Sequence, residues 1–556
     1  MSAPEPSMQI HAERAARGLS LGELVREIPG ARLVPAEAAG VVVKGVHHDS
    51  RAVTPGDLFV ARAGAHAHGE KFIADAIARG ACAVLVEGGG AGQSAVPEGT
   101  PRVEVADVPL ALALASHAVY GHPTFRLEVV GITGTNGKTT TAHLVQAVID
   151  GCGGRAGIVG TLGYRFGDLE LPATHTSPEA DALSRIAAEM DARGATHLVM
   201  EVSSIALAAK RADAVRFRVA AFTNLTQDHL DYHGSMETYA EAKARLFLDL
   251  GPAAAAVNVD DPFGEALVRR MDKREGAPAT CRIARISAVP GASAAVADVA
   301  PVTLAQDPGG IEMVVRTPAG EVEVRSPLIG AHNVSNLLTA LSVGWLLDLD
   351  VAQAARALSQ PVQVAGRLER CDVPGTDDVV VLVDYAHTPD ALDRVLRSVE
   401  GFGGGKIWCV FGCGGDRDPL KRPLMGEIVG RGADEAIVTN DNPRSEDPRA
   451  IVEAILPGLR GGRARVEVEL DRARAISLAV SRAAPGDVVL IAGKGHEPYQ
   501  IIGDVTQPFD DRVEARRALA ARRAEREVRE VREVREVGEG LEGRGGASLP
   551  VSGVGT

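Results

Sequence analysis

Short β-branched runs alternate along this chain with stretches of helical spacing, a rhythm that predicts an α/β protein on parallel sheets. The sharpest switch lies at 127–141, Leu-Glu-Val-Val-Gly-Ile-Thr-Gly-Thr-Asn-Gly-Lys-Thr-Thr-Thr. Val129, Val130 and Ile132 read as a buried strand, and Leu144, Val145 and Val148 recur at helical spacing until Gly151. Upstream, the pattern predicts an amphipathic helix over 19–30 closed by Pro29-Gly30, strands at Val41–Val46, Leu58–Ala61 and Cys82–Val86, and a helix at Phe72–Ala78. A polar His-containing loop spans 64–69, and 88–99 is flexible by composition. Downstream come strands Leu198–Val202 and Val219–Phe222 with helices around 178–193 and 236–248. A weaker part has strands near 254–259 and 311–326, and Asn333 to Leu347 is a helix. A further α/β unit opens after Arg367, with strands at Val379–Val383, Lys406–Phe411, Glu435–Val438 and Val488–Ala492, and ends near 522. The expected domains are 1–126, 127–358 and 359–522, with a charged tail at 523–556.

In that tail Val528, Val531, Val534 and Val537 lie three apart. Such spacing slips about 60° per step on an α-helix, so the valines spiral and form no seam. A partly helical, solvated extension is expected, disordered beyond Gly538.

Between strand and helix, Gly131, Gly134 and Gly137 precede Lys138 and Thr139. That is the layout of a phosphate-binding loop, in which backbone N–H groups and a helix N-terminus surround phosphate oxygens. Lys138 reaches the outer phosphates and Thr139 offers its hydroxyl to Mg²⁺. The common spacing needs a glycine at 132, where this chain has Ile132. A glycine-rich turn with an incidental lysine is the plain alternative.

The 556 residues carry 59 basic and 73 acidic side chains, a balance of −14 that argues against broad nucleic-acid binding. No run of about 18 apolar residues suggests a membrane span. Met1 to Ala16 has no apolar core of the signal-peptide type. The six cysteines make neither a disulfide framework nor a zinc pattern, so a reduced, cytoplasmic protein is expected.

Further chemistry follows the strands. Glu201 ends an apolar run in the sheet of the phosphate loop, a position that suits Mg²⁺. The stretch 223–233 packs Asn224, Asp228, His229, Asp231 and His233, too polar for a core. By spacing alone Lys243, beside Leu246 and Phe247, is a surface residue. In the last unit four polar sets each follow a strand: Asp384-Tyr385-Ala386-His387, Gly412 to Asp418, Thr439 to Arg444, and Gly493-Lys494-Gly495-His496-Glu497. They are expected together at the sheet's C-terminal edge. Arg417 and Arg444 suit carboxylates and Glu497 an ammonium, a set that fits a zwitterionic substrate. A solvated salt-bridge rim is the alternative.

Taken together, 19–520 resembles the Mur ligase family, ATP-dependent amide-forming enzymes of peptidoglycan precursor synthesis. The loop Gly-Ile-Thr-Gly-Thr-Asn-Gly-Lys-Thr-Thr is that family's variant, and Asp441-Asn442-Pro443-Arg444 is similar to the signature of its diaminopimelate-adding branch. The resemblance implies a three-domain fold: a UDP-sugar-binding domain, a central P-loop ATPase domain with a parallel sheet, and a Rossmann-like amino-acid-binding domain. It implies ATP contacts at Gly134, Thr135, Asn136, Gly137, Lys138, Thr139, Thr140, Asn333, Asn336, Arg367 and Asp384. UDP-substrate contacts are implied at Ser50, Thr174, Thr176, Ser177, Ser203 and Arg211. Diaminopimelate contacts are implied at Arg417, Asp441, Asn442, Pro443, Arg444, Gly493 and Glu497. Lys138, Glu201, His229 and Lys243 carry catalysis. Mg²⁺ falls to Thr139, Glu201, His229 and Lys243, the last as a carbamate (N6-carboxylysine).

The expected reaction joins meso-diaminopimelate to the D-Glu carboxylate of UDP-MurNAc-L-Ala-D-Glu through an acyl phosphate. ATP and Mg²⁺ are expected as cofactors, with no nucleic-acid partner, no membrane insertion and a monomeric state. A folylpolyglutamate or lysine-adding ligase is the near alternative. A phosphate-loop ATPase switch is the distant one, and it leaves the last unit's polar sets without a task.

Overall fold

The computed structural model describes residues 18–62, 68–89, 92–273, 281–307, 309–360, 362, 364–400 and 404–542. The expectations for Met1–Ala16, for most of the 64–69 loop and for the chain past 542 lie outside the described residues. The chain forms two compact units, Met1–Val362 and Gln363–Thr556.

The first unit opens with the helix Leu21–Glu27, shorter than the predicted 19–30. Ser20 caps it: its hydroxyl accepts the Glu23 N–H at 3.3 Å while the Glu23 carboxylate accepts the Ser20 N–H at 3.1 Å. A five-stranded sheet follows in the order Arg32–Val34, Arg102–Val105, Ala83–Glu87, Asp57–Val60, Gly45–His47. It is parallel except for the first strand. The strand predicted at Val41–Val46 is broken. Val42–Val43 pairs with Leu19–Ser20 and Gly45–His47 joins the sheet. Between them the Lys44 N–H turns to the Gly56 carbonyl at 2.9 Å.

The larger sheet of this unit has eight strands. Its order is Leu169–Leu171, Gly163–Phe166, Ala156–Gly160, His197–Glu201, Glu128–Thr133, Phe217–Phe222, Ala254–Asn258, Arg282–Ile286. The six from Ala156–Gly160 onward are parallel, and a tight hairpin adds the two antiparallel edge strands. Ile132 pairs with Glu201 on one side and Ala221 on the other. It is fully buried, so the strand itself occupies the place where the common phosphate loop has glycine. The helices Lys138–Gly151 and Ala331–Leu346 share one core with this sheet. The region read as strand over 311–326 is two arms of an antiparallel meander, Ala300–Asp307, Gly310–Thr317 and Gly320–Ser326. Pro318-Ala319 forces the turn that divides it.

The second unit holds a six-stranded sheet in the order Glu369–Arg370, Val380–Asp384, Val488–Ala492, Ile407–Phe411, Glu435–Val438, Arg465–Val468. All but the first strand are parallel. The strand last in sequence, Val488–Ala492, lies inside the sheet between Val380–Asp384 and Ile407–Phe411. Arg472 and Asp511, both fully buried, pair at 2.7 Å and fix the start of the closing helix. That helix runs Asp511–Glu542, past Gly538 where disorder was expected. Its Ala, Arg and Glu content favours helix strongly enough to carry Gly538 and Gly540. Val528 on it is exposed, as the spiral of valines predicts.

Candidate active site

The phosphate loop begins where the strand Glu128–Thr133 ends. Gly134 has φ +151°, and a Cβ there would stand 1.9 Å from Thr223 Oγ1, so only glycine fits. Gly137, in the left-handed region, caps the helix Lys138–Gly151. Neighbouring segments fix the loop by hydrogen bonds. The Asn136 N–H donates to Asn224 Oδ1 at 3.0 Å, and Thr135 Oγ1 takes the Thr226 N–H at 3.0 Å and meets the Tyr239 hydroxyl at 3.0 Å. From the far side of the loop, Asn336 accepts the Thr141 hydroxyl at 3.2 Å and donates to Asn333 at 2.8 Å. The expected nucleotide residues of this unit are therefore one constellation. Thr140, on the same first turn, is buried.

Two lysines converge on this loop. Lys138 Nζ arches back to the carbonyls of Gly134 and Thr135 at 2.8 and 2.9 Å. Lys243 Nζ reaches the same Gly134 carbonyl at 2.9 Å and sits 4.4 Å from the Tyr239 ring centre. Lys243 is 1% exposed, which corrects the surface placement read from its spacing. On the helix Met236–Leu248 it lies four residues from both Tyr239 and Phe247, in the buried stripe. Burial, then the neighbouring charge of Lys138, lowers its pKa well below that of an ordinary lysine, favouring the free amine.

Beside the loop, Glu201 is buried and saturated with donors. Its oxygens accept from Thr139 Oγ1 at 3.0 Å, the Thr161 N–H at 2.8 Å and Thr161 Oγ1 at 3.1 Å. The Thr139 hydroxyl and the Glu201 carboxylate form a hard oxygen pair of the kind magnesium prefers. His229 stands apart from that pair, its ring half exposed with φ +53°, 3.5 Å from Asp228. His233 is a structural histidine, buried and bonded to Ser204 at 2.9 Å. No group of three or more His, Cys, Asp or Glu arranged for a metal occurs among the described residues.

The expected UDP-substrate residues of the large sheet adjoin Glu201. Ser177 donates to the Glu201 carbonyl at 2.9 Å and accepts the Ser203 N–H at 2.9 Å. Thr176 meets Thr161 at 3.2 Å, and Thr174 lies 3.5 Å from the Tyr164 hydroxyl. Arg211 donates to the Ser177 carbonyl at 3.0 Å and pairs with Glu179 at 2.6 Å. Ser50 is buried on a turn of the five-stranded sheet. Glu179, unnoticed in the sequence, also grips Arg62 at 2.7 Å and so ties the two sheets together.

In the second unit all four polar sets lie at C-terminal strand ends. Asp384 is buried with both oxygens taken by the Leu368 and Ala386 N–H groups at 2.7 and 2.8 Å, and burial raises its pKa. The Arg367 guanidinium lies 4.8 Å over the Tyr385 ring. The loops after Ile407–Phe411 and Glu435–Val438 touch through backbone. A Cβ on Gly415 would stand 1.9 Å from the Pro443 carbonyl, and the Gly415 N–H donates to the Asn442 carbonyl at 2.9 Å. Arg444 Nη1 donates to the Gly415 carbonyl at 2.7 Å from a left-handed backbone, φ +52°. That conformation costs about 1–3 kcal/mol and is held by bonds to Ile501 and Gly503 at 3.1 and 2.7 Å. Asn442 Nδ2 donates to Glu497 Oε2 at 2.8 Å. Asp441 is buried against Gly493, and Arg417 is exposed near Gly414.

Known proteins are similar to this chain in sequence and fold. Residues 132–344 match the Mur ligase middle domain, 366–495 the Mur ligase glutamate ligase domain, and 42–121 the Mur ligase family catalytic domain. A UDP-N-acetylmuramoyl-L-alanyl-D-glutamate–2,6-diaminopimelate ligase of Geobacter metallireducens is 44% identical over 512 residues, 87% of this chain and 96% of its own. The enzyme of the same name from Synechococcus elongatus is 43% identical over 512 residues, 91% of this chain and all of its own. A solved structure of an enzyme of that name, 33% identical, superposes with a TM-score of 0.65 over 91% of this chain and 99% of its own. The chain belongs to the Mur ligase family, ATP-dependent ligases that form amide bonds.

Replacing Gly134 with alanine places a methyl group on Thr223 and forbids the loop's backbone. We expect nucleotide affinity to fall by about tenfold or more, read by titration with a fluorescent ATP analogue. Unchanged affinity would show that the loop tolerates another conformation.

Proposed function

We propose that this chain adds meso-diaminopimelate to the D-Glu carboxylate of UDP-MurNAc-L-Ala-D-Glu, with ATP converted to ADP and phosphate. One observation carries the reading: Asn442, Arg444 and Glu497 form one cluster at the sheet's C-terminal edge, in a chain similar over 87% of its length to a ligase of that name. The γ-phosphoryl group passes to the D-Glu carboxylate. The resulting acyl phosphate is attacked by the amine of diaminopimelate, and phosphate leaves as the amide forms.

Lys138 neutralises charge on the transferring phosphoryl group. Thr139, Glu201 and His229, with Lys243 as a carbamate, are the proposed Mg²⁺ set, His229 by resemblance alone. Bound magnesium supplies further neutralisation of phosphate charge. The buried free amine of Lys243 suits the modification, because Nζ must attack carbon dioxide and lose a proton to give an N6-carboxylate. Thr174, Thr176, Ser177, Ser203 and Arg211, with Ser50, are the proposed contacts to the UDP-linked peptide. Three functional domains, 1–126, 127–358 and 359–522, a monomeric state and a cytoplasmic location complete the reading. Among the described residues no helix is long and apolar enough to cross a membrane.

Diaminopimelate carries a distal carboxylate that L-lysine lacks. A site built to pair Arg444 with that group leaves it unpaired when lysine binds, which penalises lysine strongly. Arg444→Ala is expected to lower kcat/KM for diaminopimelate by about 100-fold or more while KM for ATP stays within about twofold. An unchanged diaminopimelate KM would remove Arg444 from the pocket.

Lys243→Ala is expected to lower kcat by about 100-fold or more. ¹³C NMR of the wild-type chain in ¹³C-bicarbonate should show one carbamate resonance that this variant lacks. A wild-type spectrum without that resonance would exclude the modification.

A further inference from the structure

One charged side chain in the second unit has no part in the account above. Lys494 is fully buried and lies between Gly493 and Gly495, both with positive φ (+118° and +53°). A Cβ at Gly493 would stand 2.6 Å from Asp441 Oδ2, and one at Gly495 would stand 2.7 Å from Tyr385 Cβ. The turn therefore needs glycine on both sides, and the lysine between them is enclosed. An enclosed ammonium is costly without acceptors. Its acceptors are two residues of the proposed amino-acid pocket, Asn442 Oδ1 at 3.0 Å and Glu497 Oε2 at 3.2 Å, with the Tyr499 ring centre 5.5 Å away.

These bonds decide what the two pocket residues have left to offer. Asn442 Oδ1 accepts from Lys494 and from the Ile501 N–H at 3.0 Å, which fixes the amide so that Nδ2 faces Glu497. Glu497 Oε2 accepts from both Asn442 and Lys494. Among the described residues Oε1 accepts no hydrogen bond, so the carboxylate has one oxygen engaged and one for a ligand. Without the lysine, the carboxylate loses its direct counter-charge and the amide loses the contact that sets its orientation. Arg472, Tyr385 and Tyr499 also lie in electrostatic reach of Glu497, and Asp441 acts on the same three groups.

We propose that Lys494 is a positioning residue for the amino-acid substrate: it locks Asn442 and Glu497 into one arrangement that presents Glu497 Oε1 to the substrate's distal ammonium. The proposal rests on the diaminopimelate reading and deepens it, because recognition of the distal ammonium then depends on a residue that need not touch the substrate.

Full-length Lys494→Met, Glu497→Gln and the double variant are compared by phosphate release with ATP, UDP-MurNAc-L-Ala-D-Glu and varied meso-diaminopimelate. Lys494→Met is expected to raise the diaminopimelate KM on the order of 10- to 100-fold and leave the ATP KM within about twofold. The double variant should be no worse than Glu497→Gln alone, because the lysine acts through that carboxylate. Additive losses, or equal losses toward ATP and diaminopimelate, would overturn the proposal.

Should Lys494→Met not fold, Lys494→Gln keeps a donor and removes the charge. A raised diaminopimelate KM with an unchanged ATP KM in that variant supports the proposal, and an unchanged diaminopimelate KM overturns it. Failure of the underlying reading is visible separately, as a wild-type chain that does not turn over with diaminopimelate, and that result overturns both.

Discussion

The carbonyl oxygen of Gly134 accepts a hydrogen bond from Lys138 and another from Lys243. Two ammonium groups sharing one acceptor in a buried place repel each other, and the more deeply buried of them gives way. Burial first, and that repulsion second, drive Lys243 toward its free amine. The chemistry proposed for both lysines depends on this contact. It exists because Gly134 is a residue without a side chain, pressed against Thr223, with its carbonyl turned toward the helix that carries Lys243.

The same topological device serves both units. Parallel strands end on one edge, and the loops that leave that edge pack so closely that glycine is needed where backbones meet. In the first unit these loops bring Thr139, Thr161, Ser177 and Ser203 around Glu201. In the second they bring Gly415 under Arg444 and Glu497 beside Asn442. Polar atoms so enclosed are satisfied mainly by one another and by backbone, which holds them in place for a ligand. The strained backbone of Arg444 has the same origin, since the loop contacts that aim its guanidinium also hold its φ positive.

Much of this was legible in the sequence because strong local signals agreed. The strand–glycine–lysine–helix run placed the phosphate loop, and four polar sets after four strands placed the C-terminal edge of the second unit's sheet. Weaker signals failed for identifiable reasons. Lys243 looked superficial because a lysine is usually solvated, although its spacing from Tyr239 and Phe247 already put it on the buried stripe. Val41–Val46 looked like one strand because nothing local announces that Lys44 turns to Gly56. The short strand Arg32–Val34 lacks a periodic pattern, and Arg465–Val468 alternates over only four exposed residues; both are held by their neighbours in the sheet. The spiral of valines signalled the exposure of Val528 correctly, but the helix propensity of the Glu and Arg residues carries the helix to Glu542, further than expected. Lys494 lay in a run that drew notice, yet nothing in one dimension says that its two glycine neighbours enclose it.

The measurement that bears most directly on the account is phosphate release from ATP with Mg²⁺ and UDP-MurNAc-L-Ala-D-Glu, with meso-diaminopimelate compared against L-lysine. Release that requires diaminopimelate and is negligible with lysine is the predicted result. Equal release with both amino acids, or release that needs neither, would contradict a pocket built around Arg444 and Glu497.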